Sequence, residues 1–278
     1  MDRSELYQRI ATEADRGDLV FSTHADVGLR IKRALDDPDC SIDQAAKLIQ
    51  AEPMLASRVV AVANSFAYNR VGREISDVRQ AVSRLGFRTL RSLTMSVLVR
   101  QMSGETGDPA HKAKASQLWE HTAHVAALSH VIARRVTRQD PETAMFAGIV
   151  HEMAGFYLIS QAAKSPELLS GDMEDWQGEG EALVGAALFK VLEVPDVVAR
   201  GITDLWQGYL AIPPSSLGDT LLLAEELAPV ASPLYWTPSD ADGGASHPQI
   251  EIALDEATLT SILAESAEEV QSLISALK

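Results

Sequence analysis

Seven histidines, one cysteine and an uneven set of arginines carry most of the chemistry open to this 278-residue chain. His121 and His124 stand three residues apart in a stretch with helical periodicity, so they share one face. His151 and Glu152 are adjacent, and Glu225 and Glu226 form an acidic pair further on. Imidazoles and carboxylates are the groups that move protons or hold divalent cations. Each also has a plainer reading. His121 and His124 can be half-buried, hydrogen-bonded histidines, and Glu225-Glu226 an ordinary charged helix face. On a helix, His151 and Glu152 would point about 100° apart, so one should line the interior while the other meets solvent or a partner. Cys40, the single cysteine, sits between Asp39 and Ser41. It excludes an internal disulfide, suggests a reducing compartment, and reads as incidental.

The arginines are concentrated. Eight lie between Arg58 and Arg100 against only Glu74 and Asp77, a local net of +6 in a chain of net −15. Arginine is the residue suited to bidentate pairing with carboxylate or phosphate. Arg84, Arg88 and Arg91 are therefore a candidate partner or anion surface. The alternatives are solvated helix faces, or arginines that pair with acidic residues of the other half. The strong negative charge argues against general affinity for DNA or RNA. No run approaches the roughly 20 apolar residues needed to span a bilayer. The stretch Met1 to Asp18 is charged and lacks the apolar run of a signal peptide, so the expectation is a cytoplasmic protein off the membrane.

The elements that would position these groups are helical. Hydrophobic residues make up 46% of the chain and aromatics only 5%, so Ala, Leu and Val must build the core through close helix contacts. Ser41 followed by Gln44 is a capping-box pattern, and Pro53 suits the first turn of the next helix. That helix should end near Asn64-Ser65. Another starts at Ser76 or Asp77 and is closed by Gly86, and a further one runs from Thr89 through Val99. SGETGDP, from Ser103 to Pro109, reads as a linker. Beyond it, Ala115 to Val136 forms one long helix, and Pro141 opens the next. A loop covers part of Ser170 to Gly180. Helices resume at Ala182 to Leu192, Asp196 to Trp206 and Leu217 to Ala228. Pro229 to Gln249 is a loop, and Asp255 to Leu277 looks like two short amphipathic helices. Trp119, Trp176, Trp206 and Trp236 read as packing residues. No period-2 alternation supports a sheet.

Residues 45–69, AAKLIQAEPMLASRVVAVANSFAYN, are followed at 75–93 by ISDVRQAVSRLGFRTLRSL. This pair of segments closely resembles the signature of the HDOD (HD-related output domain) family, carried by Ile49, Pro53, Leu55, Ala63, Asn64, Ser65, Tyr68, Ile75, Ala81, Leu85 and Gly86. Glu52 replaces the family's usual Asp, and Phe21-Ser22-Thr23-His24 stand where the family has a Leu-Pro pair. In the second half, LWEHTAHVAALSHVIAR and AMFAGIVHEMAGFYLI resemble the HD-type helical core. The resemblance implies an all-α fold, with an N-terminal helical bundle at 10–105 packed on an HD-like lobe at 112–278, both lobes forming one HDOD domain. It also implies a role in bacterial signal transduction.

Catalytic relatives of the HD type hold divalent metal with a His, a His-Asp pair and a later Asp. Matched by pattern, these positions are His121, His151-Glu152 and Glu225. Both Asp positions are therefore Glu, longer by one methylene, and Leu205-Trp206 fall where a further histidine pair would lie. The expectation is a degenerate phosphohydrolase core in a non-catalytic regulatory module, acting through a protein partner or a sensed ligand such as a nucleotide, with no cofactor. The alternative is a divalent-metal phosphohydrolase acting on a nucleotide or cyclic dinucleotide. With no receiver, kinase or cyclase segment in the sequence, the input signal is expected in trans or as a ligand. The fold expectation is checked by far-ultraviolet circular dichroism, which should be dominated by helix. Strand above roughly a tenth of the residues would contradict it.

Overall fold

The computed structural model describes residues 3–16, 23–70, 72–103, 108–171, 173–235 and 256–278. Phe21-Ser22, Trp236, most of the expected linker and most of the loop after Pro229 lie outside these residues. Among the described residues every regular element is helical. The long helices run α1 (Arg3–Arg16), α2 (Thr23–Asp36), α3 (Ile42–Gln50), α4 (Pro53–Asn64), α5 (Val78–Met102) and α6 (Pro109–Ile132). They continue with α7 (Pro141–Val150), α8 (Met153–Ala162), α9 (Glu181–Val191), α10 (Asp196–Gln207), α11 (Leu217–Leu227) and α12 (Glu256–Leu277).

The starts of these helices follow from side chains that satisfy their otherwise unpaired N–H groups. Ser41 and Gln44 exchange the two bonds of a capping box, at 3.2 and 2.8 Å. Glu52 caps α4 by accepting from the Leu55 amide, so the longer acid performs the capping role its position demands. Asp77, Asp108 and Asp140 cap α5, α6 and α7. Prolines occupy the first turn of α4, α6 and α7, where a missing N–H does no harm.

The signature residues of the first half act on the backbone. Asn64 accepts from the Ile75 amide at 2.8 Å and donates to the Ile75 carbonyl at 2.6 Å, closing the intervening loop as a sheet neighbour would. Ser65 ends α4 with its hydroxyl on the Val62 carbonyl. Gly86 has φ +74°, open to glycine and strained for other residues, and it lets the two halves of α5 meet at a corner. The expected break at Gly86 is thus present, with helix resuming at once and continuing to Met102.

α6 is the axis of the second half, buried almost continuously from Leu118 to Ile132. α7, α8, α11 and α12 pack around it. α5 joins the halves by packing on both α7 and α8. One apolar cluster therefore extends from Ile49 and Val62 through Leu90 and Leu98 to Val150, Phe156 and Leu188. Polar ties cross the same boundary: the Tyr68 hydroxyl donates to one oxygen of Glu142, and the Thr89 hydroxyl donates to the other at 2.7 Å. α1 packs on α9.

One expectation is corrected. The C-terminal stretch forms the single helix α12 and not two short ones, because no Gly or Pro interrupts residues 256–277.

The α6–α7 crossing is close enough to require glycine. A Cβ on Gly148 would lie 2.6 Å from the Ala126 Cα, a backbone atom that cannot move alone. Gly148→Ala should lower stability by about 1–3 kcal/mol through overpacking, even though Ala is the better helix former. Thermal denaturation of the variant checks this.

Candidate functional site

His121 projects from the middle of α6 and is fully buried. His151 and Glu152 lie at the junction of α7 and α8, where Val150 ends one helix and Met153 begins the next. Glu152 has φ −92° and ψ 15°, outside the helical repeat. That break abolishes the expected divergence. Both side chains face inward, with exposures of 1% and 0%. The expectation that one of them meets solvent is therefore overturned. Glu225, on α11, does not form an ordinary charged face either; it turns toward the histidines while Glu226 stays exposed.

The four residues converge. His121 Nε2 and His151 Nε2 are 3.2 Å apart. Glu225 Oε2 is 3.2 Å from the first and 3.5 Å from the second, and Glu152 Oε1 is 3.9 Å from His121 Nε2. The other ring nitrogens settle the tautomers. His121 Nδ1 lies 2.8 Å from the Val230 carbonyl and His151 Nδ1 lies 2.8 Å from the Gly148 carbonyl. Carbonyl oxygens only accept, so both Nδ1 atoms carry the proton. In the neutral rings, both Nε2 atoms then present lone pairs to each other and to two carboxylates.

Such a cluster needs a positive charge at its centre. Neither oxygen of Glu152 closes a hydrogen bond, nor does Glu225 Oε2. His121, His151 and Glu152 offer donor atoms that all lie within 4.8 Å of one another. Two imidazole nitrogens sharing one cation at about 2.1 Å would stand at such a separation. Carbonyls behind each ring are the usual outer support of metal-binding histidines. The donor set thus fits a divalent cation. The extra methylene of Glu152 is accommodated by Gly155, where a Cβ would come within 2.8 Å of Glu152 Oε2.

A proton is the other cation available. Burial pulls the His121 pKa down, but the charge of Glu225, and then of Glu152, outweighs it and lifts the ring to about 9. Burial pushes Glu225 up, yet the His121 and His151 imidazoles hold it well below the usual carboxylate range. Glu152 is raised because its burial dominates over both histidines.

Beside the cluster is a pocket of about 200 Å³, lined by Gln177, Glu181, Leu205, Trp206, Leu222, Glu225 and Tyr235. Tyr235 is a functional candidate that sequence reasoning missed, and Glu181, which precedes Leu183-Val184-Gly185-Ala186 where the resemblance places a further His, is not among the site residues that the sequence singles out. Glu181 opens α9 and is buried, and the Tyr235 hydroxyl donates to its Oε2 at 2.7 Å. Burial, then the charge of Glu152, raises Glu181 well above the carboxylate range.

Other candidates lie elsewhere. His124 is buried and bonded to the Glu120 carbonyl within its own helix, away from the cluster. Trp206 stacks on Phe189 at 5.8 Å and Leu205 is buried, which is the apolar packing expected of them. Trp176 and Trp119 are likewise packed, the latter under the Arg58 and Arg100 guanidinium groups. Arg84, Arg88 and Arg91 are individually engaged. Arg84 donates to the Ala63 carbonyl, Arg88 pairs with Asp140, and Arg91 holds the Leu35 carbonyl and Asp36. Arg88 is thus matched by an acid of the other half.

The His121 shift has a direction in pH. Its folded-state pKa exceeds the ordinary 6.5, so in chelator-treated protein the stabilisation is complete below that value and lost as pH rises through about 9. The loss should be of order 3 kcal/mol. Thermal melts from about pH 6 to pH 10 should show Tm falling with chelator, and a flatter profile with Mn²⁺.

Comparison with known proteins bears on the family and the fold. The family model for the HDOD domain matches residues 22–192. A crystal structure from Shewanella amazonensis SB2B, provisionally described as a metal-dependent phosphohydrolase, superposes with a TM-score of 0.73 over 99% of each chain at 19% identity. An HDOD domain protein of unknown function from Geobacter sulfurreducens gives 0.63 over 99% of each chain at 23% identity. A provisional signal transduction protein from Marinobacter aquaeolei VT8 gives 0.61 over 99% of this chain and 66% of its own, at 18% identity. Identities at this level establish a shared fold. An uncharacterized protein of Treponema pallidum (strain Nichols) is 24% identical over 189 residues, and the chain spans about a third of the length of that curated relative. With well over half its length matched, the chain belongs to the HDOD domain family.

Proposed function

We propose that the chain is a cytoplasmic signal-transduction module that binds a ligand or protein partner and does not hydrolyse phosphate esters. The observation that carries this reading is the lack of cationic side chains in the described lining of the pocket beside the histidine cluster. Its walls include Glu181 and Glu225, and among the described residues no Lys or Arg lines it. Residues 236–255 contain no Lys or Arg either. Phosphoryl transfer depends on fixed positive groups that neutralise the equatorial oxygens. A phosphate ester entering here would meet Glu181 and Glu225 and no cationic side chain among the described residues. The net charge of −15 opposes a nucleic-acid partner in the same way. A signalling protein is the partner class consistent with the family, and among the described residues no helix is long and apolar enough to cross a membrane.

A second reading, a divalent-metal phosphohydrolase acting on a nucleotide or cyclic dinucleotide, is favoured by one feature. The paired Nε2 lone pairs of His121 and His151, backed by carbonyls, are organised for a cation. His121, His151, Glu152 and Glu225 would hold it. Such a cation lowers the pKa of bound water and polarises a phosphoryl oxygen. The chain's own residues supply the rest of the site: the two histidines fix its position, and Tyr235 orients Glu181 at its approach.

Metal analysis and activity assays separate the two. Protein reconstituted with Mn²⁺, Mg²⁺, Fe²⁺ or Ni²⁺ should retain about one cation, lost in His121→Ala and His151→Ala. It should not turn over nucleoside monophosphates, ppGpp or cyclic dinucleotides. Turnover that disappears in both variants would establish the phosphohydrolase instead.

A further inference from the structure

We infer that the pocket between α9, α10 and α11 is a binding site for a small organic cation with N–H donors, a primary ammonium or guanidinium. This names the ligand class of the sensing module proposed above and rests on that reading for its signalling role, though not for the binding itself. Glu181 is 2% exposed, yet its Oε1 closes no hydrogen bond. Its other oxygen is occupied by the Tyr235 hydroxyl, and the Trp206 indole lies against the same carboxylate. Burial favours the protonated acid in the empty pocket; a cation arriving with N–H donors would displace that proton to solvent and satisfy the oxygen left without a partner.

The rest of the lining sets the class of donor. Glu225 lines the same pocket from α11 while its Oε2 faces the histidines, and no Lys or Arg among the described residues lines it, so the site disfavours phosphate or carboxylate ligands. Trp206 and Tyr235 add aromatic rings, which attract organic cations through their quadrupoles. Trp206 is held in place by stacking on Phe189 and by Gly185, where a Cβ would meet the ring at 2.6 Å. Leu205 and Leu222 provide an apolar wall for a short alkyl chain.

A second divalent metal is a poorer match. Tyr235 and Trp206 present a hydroxyl already donating and an indole N–H, neither of them a metal donor. Among the described residues the lining contains no histidine or cysteine, leaving Glu181 and Glu225 as the carboxylates at hand. Burial of Glu181 also means the cation must enter the pocket fully, which suits a small free molecule better than a side chain tethered to a partner.

The test is calorimetric titration of the metal-loaded full chain with agmatine, using 1-butanol, inorganic phosphate and additional Mn²⁺ as comparisons. Saturable binding of agmatine is expected, with none for butanol or phosphate. Glu181→Gln should weaken it roughly tenfold or more, the scale of one charge-assisted hydrogen bond, without loss of the metal held by the histidines. Should Glu181→Gln fail to fold, Gln177→Lys is the second variant. Gln177 is exposed at the pocket, and a lysine there should abolish agmatine binding by repulsion.

Agmatine heats indistinguishable from butanol would overturn the proposal, as would affinity unchanged in both variants. A second equivalent of Mn²⁺ that is lost in Glu181→Gln would reassign the pocket to a metal. Equal affinity for a capped Gly-Arg-Gly peptide would replace the free ligand with a partner's arginine. Turnover assays on the same preparation keep the two proposals apart, since hydrolysis would defeat the non-catalytic reading without altering agmatine binding.

Discussion

Two buried imidazoles whose Nδ1 protons are committed to carbonyls, facing two carboxylates across about 3–4 Å, cannot exist in the fold without a compensating positive charge. Much of the second half is arranged around that requirement. α6 supplies His121, the break between α7 and α8 supplies His151 and Glu152, and α11 supplies Glu225. The segment after α11 closes the cluster through the Val230 carbonyl and continues to Tyr235. The centre is thus a cross-link among four parts of the chain, whose strength depends on which cation occupies it. Proton and divalent metal would compete for the same lone pairs, so in the proposed reading pH and metal availability would act on one structural joint.

The first half is joined to this centre through packing and a separate polar junction. α5 lies against α7 and α8, the helices that carry His151 and Glu152. Glu142, on α7, receives both Tyr68 from the signature loop and Thr89 from α5. α12 is fastened to the same region, where the Phe66 amide donates to Ser272 and Arg134 pairs with the buried Glu269. A change in the position of α7 would therefore be felt by the N-terminal bundle and by α12 together. That connectivity suits a module that reports a bound state by altering a surface, because packed helices shift as units.

The pocket beside the cluster bears on what such a module would sense. Its acidic and aromatic lining contrasts with the arginine-rich N-terminal half, where Arg88 and Arg91 pair with Asp140 and Asp36. Most of the chain's excess negative charge lies outside that arginine-rich stretch. Positive charge is thus largely absorbed within the fold, while the described lining of the pocket holds acidic residues and no Lys or Arg.

The sequence alone determined the all-helical class, most helix boundaries, the capping residues and the membership carried by Pro53, Asn64, Ser65 and Gly86. These depend on contacts within a few residues, such as a side chain reaching an amide three positions on, or a glycine taking positive φ. Residue type, at positions the resemblance gives to a histidine pair, also pointed Leu205 and Trp206 to apolar packing. Pattern matching singled out His121, His151, Glu152 and Glu225, but local reasoning misread two of them. A regular helix would have parted His151 from Glu152, and Glu225 resembled any exposed acid. Tertiary structure decided otherwise, because the turn between α7 and α8 ends the helical repeat at that point and α11 approaches from more than 70 residues away. Glu181 and Tyr235, 54 residues apart, meet only because the chain after α11 folds back over α9. Local rules specify where a helix begins and ends, whereas the convergence of charges across the core depends on how whole helices pack, and that is set by the fold as a whole.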